Sequence, residues 1–598
     1  MCDCRLLGSR PVKVTPHKGR GSDRKEGIPS SSLFVAATIS AFEAFANTLE
    51  SLEEDDAIVE DLLKLETIEF FTPESRLQGS IPRKKADLEV VVHFDSTLDA
   101  DWESLMYQFA NEAGIDLDAS HAYQSRGLLF LPGLGNAVSA KQLAQFSFIR
   151  TIRPMPKLRI IDRPSILRSS VSLIAQLPTE PPVDPTCRVA IFDGGLKENH
   201  PFGLWAEAIE PPASHKIGAP IDEYLDHGTA VTSAALFGHI TGGALPRPYA
   251  TVDHYRVLGT EVADKHLYNV MLYVDEVLSQ SNYPLASFSF GPHEVAGDDQ
   301  VTAWTSMLDD HFGEGTTLAT IAVGNDGEAQ WPKSRIQVPS DCVNALGVGA
   351  SDSTSTDWQR ASYSSVGPGR HPGLVKPDLV FFGGTDDQQF RFIFPGPSVA
   401  EGCGTSYSTP AIIRVASGLK SYFGSDLSAQ AIRALLIHSA DPANHHRDEV
   451  GWGIITDDID SIVSCEEGVV RIAYQGKLEP GKVLRAPIPV PEQQLLGDVV
   501  IKATFCYGCL TDPHTPGDYT RAGLDITFRP HRLKFDKDPK YPNTDTFFKR
   551  HEKSNEQELR LDAHKWDTVL HNSKKKRGSS LLDPTFDIHY LAREPGSK

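Results

Sequence analysis

Between residues 187 and 441, short apolar runs alternate with stretches of helical spacing, and this alternation constrains the fold more than any other feature. Residues 188–192 (RVAIF), 286–290 (ASFSF), 317–323 (TLATIAV) and 345–349 (ALGVG) are the runs expected of strands buried on both faces. Residues 227–236, 269–280, 406–422 and 428–438 carry apolar positions at helical spacing. Such strands separated by helices predict an α/β domain over 187–459, with a parallel sheet covered on both sides. A site in such a sheet lies outside the carboxyl ends of its strands.

The flanks read differently. Residues 1–30 are rich in Gly, Ser, Pro, Lys and Arg and are expected to be a disordered basic segment. Residues 31–80 read as a helical acidic segment, with Leu49, Leu52, Ile58, Leu62 and Leu63 on its apolar positions. Residues 87–160 alternate strand and helix patterns, with strands at 88–94 and 127–131, helices at 102–113 and 140–146 and an extended stretch from 149. That pattern predicts a small α+β domain. Residues 161–186, Pro-rich toward their end, read as a linker. Residues 460–598 read as a β-rich domain with strands at 469–473, 498–504 and 524–528. It carries a charged insertion at 530–562 and a basic loop, Lys574-Lys575-Lys576-Arg577.

Composition excludes some classes of function. The chain of 598 residues has a formal net charge of −21, which repels phosphates, so nucleic acid is not an expected partner. Its eight cysteines are scattered and form no disulfide framework. Cys506-Tyr507-Gly508-Cys509 has a CxxC spacing without a partner motif, so reduced thiols are the simpler reading than a metal site. Cys403 is expected to be a small buried residue. No apolar run reaches the roughly 18–20 residues that span a bilayer, so no membrane is expected. Glu43 interrupts the apolar stretch at 33–49, which reads as a helix and not an export signal. The expected location is the cytoplasm, with secretion as the alternative.

Four motifs fall at strand ends or helix starts. Ile191-Phe192-Asp193-Gly194-Gly195 sets a carboxylate after a buried strand, where two glycines allow a sharp turn; a plain Asp-Gly-Gly turn is the other reading. In Asp226-His227-Gly228-Thr229, the histidine begins a helix and the glycine permits a close approach; a capping or surface histidine would look the same. Gly324-Asn325-Asp326-Gly327 offers a side-chain amide to a developing oxyanion, or else a turn. Gly402-Cys403-Gly404-Thr405-Ser406-Tyr407-Ser408-Thr409-Pro410 stands a serine where a glycine-rich loop enters a helix, beside unpaired N–H groups. A serine N-cap is the competing reading, and Pro410 is expected within the first turn.

Taken together and in this order, these residues resemble the subtilases, the subtilisin-like serine proteases. The Gly-Thr-Ser-x-Ser-x-Pro pattern at 404–410 and the His-Gly-Thr at 227–229 carry most of the resemblance, which extends over about 187–455. It implies a serine endopeptidase that cuts protein or peptide substrates, with Ser406 as nucleophile, His227 as general base, Asp193 orienting the histidine and Asn325 in the oxyanion hole. It also implies that Ser289, Phe290 and Gly291 pair with an extended substrate, with Phe288, Phe290 and Gly324 as apolar walls near the pocket. No cofactor is required, although structural calcium occurs in the family. The 87–160 segment resembles a subtilase propeptide and reads equally as a permanent accessory domain; as a propeptide it would be cut off near 162–186. The acidic 33–65 segment, 226–238 and 562–590 also resemble bacterial intracellular subtilases encoded beside an AAA-type ATPase, a pairing linked to phage defence and plasmid incompatibility. A catalytically silent subtilase fold used as a binding module is the alternative, although packing alone does not call for all four site residues.

Overall fold

The computed structural model describes residues 4–15, 28–53, 57–94, 101–160, 168–260, 266–395, 398–479, 481–491, 495–535, 542–548 and 565–593. At its centre is a parallel sheet of seven strands: β1 (Arg188–Asp193), β2 (Ala206–Ile209), β3 (Thr251–Arg256), β4 (Leu285–Phe288), β5 (Leu318–Ala322), β6 (Leu346–Ser351) and β7 (Leu379–Phe382), in the spatial order β2-β3-β1-β4-β5-β6-β7. β1, β4, β5, β6 and β7 are buried almost without a break, which explains their unalternating sequences. The strand order reverses at β1, the switch point at which such sheets bind ligands.

Five helices cover this sheet: α1 (Asp222–Phe237), α2 (His266–Gln280), α3 (Ala303–Phe312), α4 (Thr405–Phe423) and α5 (Ala429–Ser439). Every residue of α4 from Thr405 to Leu419 is buried, and the hydroxyls of Ser408, Thr409 and Ser417 are satisfied by the helix's own carbonyls. It ends at Gly424, whose φ of 58° is a left-handed conformation that glycine adopts freely. His227 lies in the second turn of α1, since the helix begins five residues earlier than its apolar spacing indicates. The charged first turn, Asp222 and Glu223, suits a helix N-terminus but hides the start from a hydrophobicity reading.

The α+β segment is present as an antiparallel sheet, with Ala86–His93 between Leu128–Gly135 and Ile149–Pro154, and with helices Asp101–Ala113 and Ala137–Leu143. Val91, Leu128 and Phe130 on one face share a core cluster with Tyr268, Trp304 and Met307 of α2 and α3. The C-terminal part holds two antiparallel sheets, one of Val483–Pro487, Ala522–Arg529 and Thr585–Ala592, the other of Asp498–Cys506 and Val569–Arg577. They share a core around Phe528, Phe547 and Phe586.

Several expectations need correction. Within the basic 1–30 segment, Cys4–Val14 forms a strand paired with Ile28–Ala37, because main-chain pairing and contacts to the rest of the molecule order a sequence that is unremarkable by composition. Among the described residues, the 31–80 segment is helical only at Ile39–Ser51 and Ala57–Leu62, with a single turn at Glu74–Arg76. Within the linker, Arg168–Ile174 is a strand paired with Ser398–Gly402. Residues 469–473 form no strand, and the basic Lys574–Arg577 run ends a strand, with Lys575 and Arg577 exposed and Lys574 and Lys576 half-buried. The parts of these expectations on 1–3, 16–27, 161–167 and most of 530–562 lie outside the described residues.

Candidate active site

Three neighbouring strands deliver residues to one edge of the sheet. Asp193 ends β1, Ser289 follows β4 and Asn325 follows β5 by three residues. Ser406 approaches from the first turn of α4, and His227 from α1, which packs along α4.

Asp193 is fully buried. Its Oδ1 accepts the Gly194 N–H at 2.7 Å and lies 2.7 Å from His227 Nδ1. An ionised carboxylate can only accept, so Nδ1 of His227 carries the proton and Nε2 is left as the basic nitrogen. The His227 side chain is 9% exposed, and its ring stands 6.2 Å from that of Tyr407, the residue after Ser406. Tyr407 is itself stacked on Phe390 and tilted against Phe392, which fixes a wall beside the imidazole. The glycine after the histidine works as its motif suggests: a β-carbon on Gly228 would lie 2.1 Å from the Gly195 carbonyl oxygen.

Ser406 is 2% exposed and is joined to Ser289 in both directions. Its Oγ donates to the Ser289 carbonyl at 3.5 Å, and Ser289 Oγ donates to the Ser406 carbonyl at 3.1 Å. The Asn325 carboxamide oxygen accepts the Thr405 N–H at 3.1 Å and the Thr405 hydroxyl at 2.9 Å. With its oxygen so engaged, the amide nitrogen turns toward the loop before Ser406, 3.6 Å from where a Gly404 β-carbon would stand. Chemically, the arrangement offers a hydroxyl at a helix N-terminus, a tautomer-fixed imidazole and an amide donor beside it.

The pairing strand runs Phe290–Pro292, and the break at Ser289 separates it from β4. Phe290 and Gly291 of the expected trio are in it, and Ser289 is the residue that meets Ser406. Leu158–Ile160 already lies antiparallel against it, with Ile160 opposite Phe290 and Arg159 opposite Gly291. Phe288 and Phe290 do not wall a pocket: Phe288 stacks on Phe192 and Phe290 meets Trp304 edge-on, both within the core. Alternation along a strand turned these rings inward. The side chain that covers Gly324 is Gln337, which is hydrogen bonded to Asp326.

One buried residue has no counterpart in the sequence motifs. His254 of β3 sits under the Asp193 turn, hydrogen bonded to Gly195 and Thr232. The only signal for it is a histidine inside an otherwise strand-like run, which is too common to read. Cys403 is half-buried, and among the described residues seven cysteines are free thiols. Burial pushes the thiols of Cys506 and Cys509 up to about 12, which suits inert structural cysteines. Among the described residues no group of three or more His, Cys, Asp or Glu side chains is gathered as a metal site would be, and no helix is long and apolar enough to cross a membrane.

Residues 186–453 match the Subtilase family. Among solved structures, the chain is similar to fervidolysin from Fervidobacterium pennivorans, a keratinolytic enzyme related to subtilisin, at 14% identity and a TM-score of 0.46 over 75% of this chain and 66% of that one. It is similar also to the epidermin leader peptide processing serine protease EpiP from Staphylococcus aureus (15% identity, TM-score 0.43, 64% and 100% of the two chains). A third is the prenylagaramide maturation protease PagA (21% identity, TM-score 0.35, 47% and 94%). Among curated proteins, none matches.

Proposed function

We propose that this chain, whose residues 186–453 match the Subtilase family, is a working serine endopeptidase, with Ser406 as nucleophile, His227 as general base, Asp193 as the orienting carboxylate and Asn325 with the Ser406 N–H as oxyanion hole. The observation that carries this reading is the 2.7 Å hydrogen bond between His227 Nδ1 and the buried Asp193, on a helix packed against the one that bears Ser406. His227 Nε2 takes the Ser406 hydroxyl proton as Oγ bonds to the peptide carbonyl carbon. The carbonyl oxygen becomes an oxyanion held by the Asn325 amide and the helix N-terminus. His227 then gives the proton to the departing amine, leaving an acyl-enzyme that water opens by the same steps. Asp193 stabilises the imidazolium throughout. Loss of the Asn325 donor should cost roughly 10²–10³ in turnover.

The substrate is an extended peptide that adds a strand to Phe290–Pro292, and the pairing of Leu158–Ile160 on that edge supports this mode. That pairing also supports a regulatory reading: the α+β segment feeds its own chain toward Ser289 and Ser406 and keeps other peptides off the edge. Self-cleavage beyond Ile160 and before the strand that begins at Arg168, followed by departure of the segment, would open it. The cytoplasm is the proposed location. A partner ATPase, with a role in phage defence or plasmid incompatibility, is the finest part of the proposal. Recovery of an AAA-type ATPase with the chain from its native host would support it, and an empty pull-down would remove it.

A fluorophosphonate probe tests the chemistry. The expected result is covalent labelling that Ser406→Ala abolishes, together with cleavage of casein. Absence of labelling, even in protein trimmed of its first 186 residues, would leave the silent binding module as the better reading.

A further inference from the structure

His254 is fully buried in β3, and all its polar contacts serve the surroundings of Asp193 and His227. The Gly195 N–H donates to its Nε2 at 3.0 Å, and Thr232 Oγ1 lies 2.7 Å from its Nδ1. Since Nε2 accepts, a neutral ring must carry its proton on Nδ1 and donate it to Thr232. Burial pushes the imidazole down to about 4, against a weaker opposing pull from Asp193, so the ring is neutral across the ordinary working range. Asp193, His227 and His200 are the titratable groups that face it. A third contact is steric: His254 Cε1 lies 2.9 Å from the place a Gly228 β-carbon would take.

One ring therefore touches two pieces of backbone. Gly195 belongs to the turn two residues after Asp193, and Gly228 and Thr232 belong to the helix just beyond His227. The Asp193 Oδ1 to His227 Nδ1 separation is 2.7 Å, and it is fixed by the spacing of those same two pieces. A leucine would fill the position without the desolvation cost of a buried imidazole, but it would supply neither bond. We infer that His254 is a positioning residue: a neutral spacer, bonded to the Asp193 turn on one nitrogen and to the His227 helix on the other, that sets the Asp193–His227 hydrogen bond. In its kinetic consequences this rests on the peptidase reading above.

The full chain is compared as wild type, His254→Leu, His254→Gln and Thr232→Val. Thermal midpoint, kcat and KM on a peptide substrate, the acidic limb of the pH–rate profile and the low-field proton resonance of His227 Nδ1–H are read. His254→Leu should keep KM within about twofold and lower kcat by about 10–100-fold, the scale set by small misplacements of catalytic groups. The acidic limb and the low-field resonance should both move. Glutamine can still accept from Gly195 and should restore most of kcat, with Thr232→Val between the two. A folded His254→Leu with wild-type kcat and an unmoved acidic limb would overturn the inference, as would a glutamine variant no better than leucine. If the leucine variant does not fold, the other two decide. Glutamine near wild type with Thr232→Val impaired and shifted supports the role; both indistinguishable from wild type overturns it. If wild type neither labels nor cleaves, the peptidase reading fails by itself. The resonance then decides: a signal displaced in the His254 and Thr232 variants supports the spacer, and an unmoved one ends it.

Discussion

A β-carbon at position 228 would sit 2.1 Å from the Gly195 carbonyl oxygen and 2.9 Å from the Gly195 nitrogen, so this glycine is where the helix of His227 touches the turn of Asp193. Neither neighbour is the loose end of a side chain, and alanine must push helix and turn apart. Gly228→Ala should cost about 1–3 kcal/mol of stability through overpacking. It should also lower kcat by about 10²-fold as His227 draws away from Asp193. Chemical denaturation and steady-state kinetics check the two effects, and a variant with wild-type values in both would refute the contact. The proposed site residues Asp193, His227, Asn325 and Ser406 stood out in the sequence because each lies within two residues of a glycine that a sharp turn or a close approach requires. His254 was not, since its role comes from partners 22 and 59 residues away and leaves no local pattern. The rings of Phe288 and Phe290 were misread for a related reason: composition tells that they are apolar, and only the strand's pleat tells which way they point.

Among the elements, α4 shows how a helix start can be built to hold Ser406, the proposed nucleophile. The helix begins at Thr405, so Pro410 stands at its sixth position, beyond the first turn where a missing N–H is harmless. In an α-helix the N–H of residue 410 would donate to the carbonyl of residue 406. Proline has none, and Ser289 Oγ donates to the Ser406 carbonyl in its place. The proline thus opens a bond through which the pairing strand holds the helix turn of Ser406. Ser289→Ala should cost about 1–3 kcal/mol by stripping that carbonyl of its donor. Pro410→Ala in the same chain supplies an N–H and should recover part of the loss, so the double-mutant cycle should show coupling of at least 0.5 kcal/mol. Strict additivity in thermal or urea unfolding would show that the two positions act apart. At this scale, four strands could be read because they are buried on both faces, and four helices because their apolar residues recur at helical spacing. β2, β3 and β7 escaped notice, since Glu207, Asp253 and His254 interrupt the first two and β7 is only four residues long.

Over the whole molecule, the first and last parts of the chain meet at His514. Its Nε2 lies 2.9 Å from His93 Nδ1 in the α+β sheet. Its carbonyl accepts the Ser9 N–H of the N-terminal hairpin at 3.0 Å and the Arg150 guanidinium at 3.1 Å. Contacts between residues several hundred positions apart have no signature in sequence, which is why the hairpin looked disordered by composition. They also bear on the fate of the α+β segment. Tyr268 bonds Glu89 at 2.7 Å, Ser125 bonds Asp310 at 2.8 Å, and Val91 and Phe130 share an apolar core with α2 and α3. With these ties on one side and His514 on the other, cutting the chain between Ile160 and Arg168 should leave the N-terminal part in place at neutral pH. Burial, with Arg150 and Arg76 nearby, holds the His93 imidazole well below its ordinary value, so the docked form is the neutral one. When the parts separate, His93 regains a pKa near 6.5 and binds a proton. Docking is therefore at full strength above about pH 6.5 and weakens as the pH falls below it. In size-exclusion chromatography of the cleaved protein, the two pieces should elute together at pH 7.5 and come apart progressively toward pH 5. His93→Gln, which can still donate to His514 without titrating, should flatten that response. Release at pH 7.5 without denaturant would mark the segment as a removable inhibitor, and an equal acid response in His93→Gln would take the switch away from this pair.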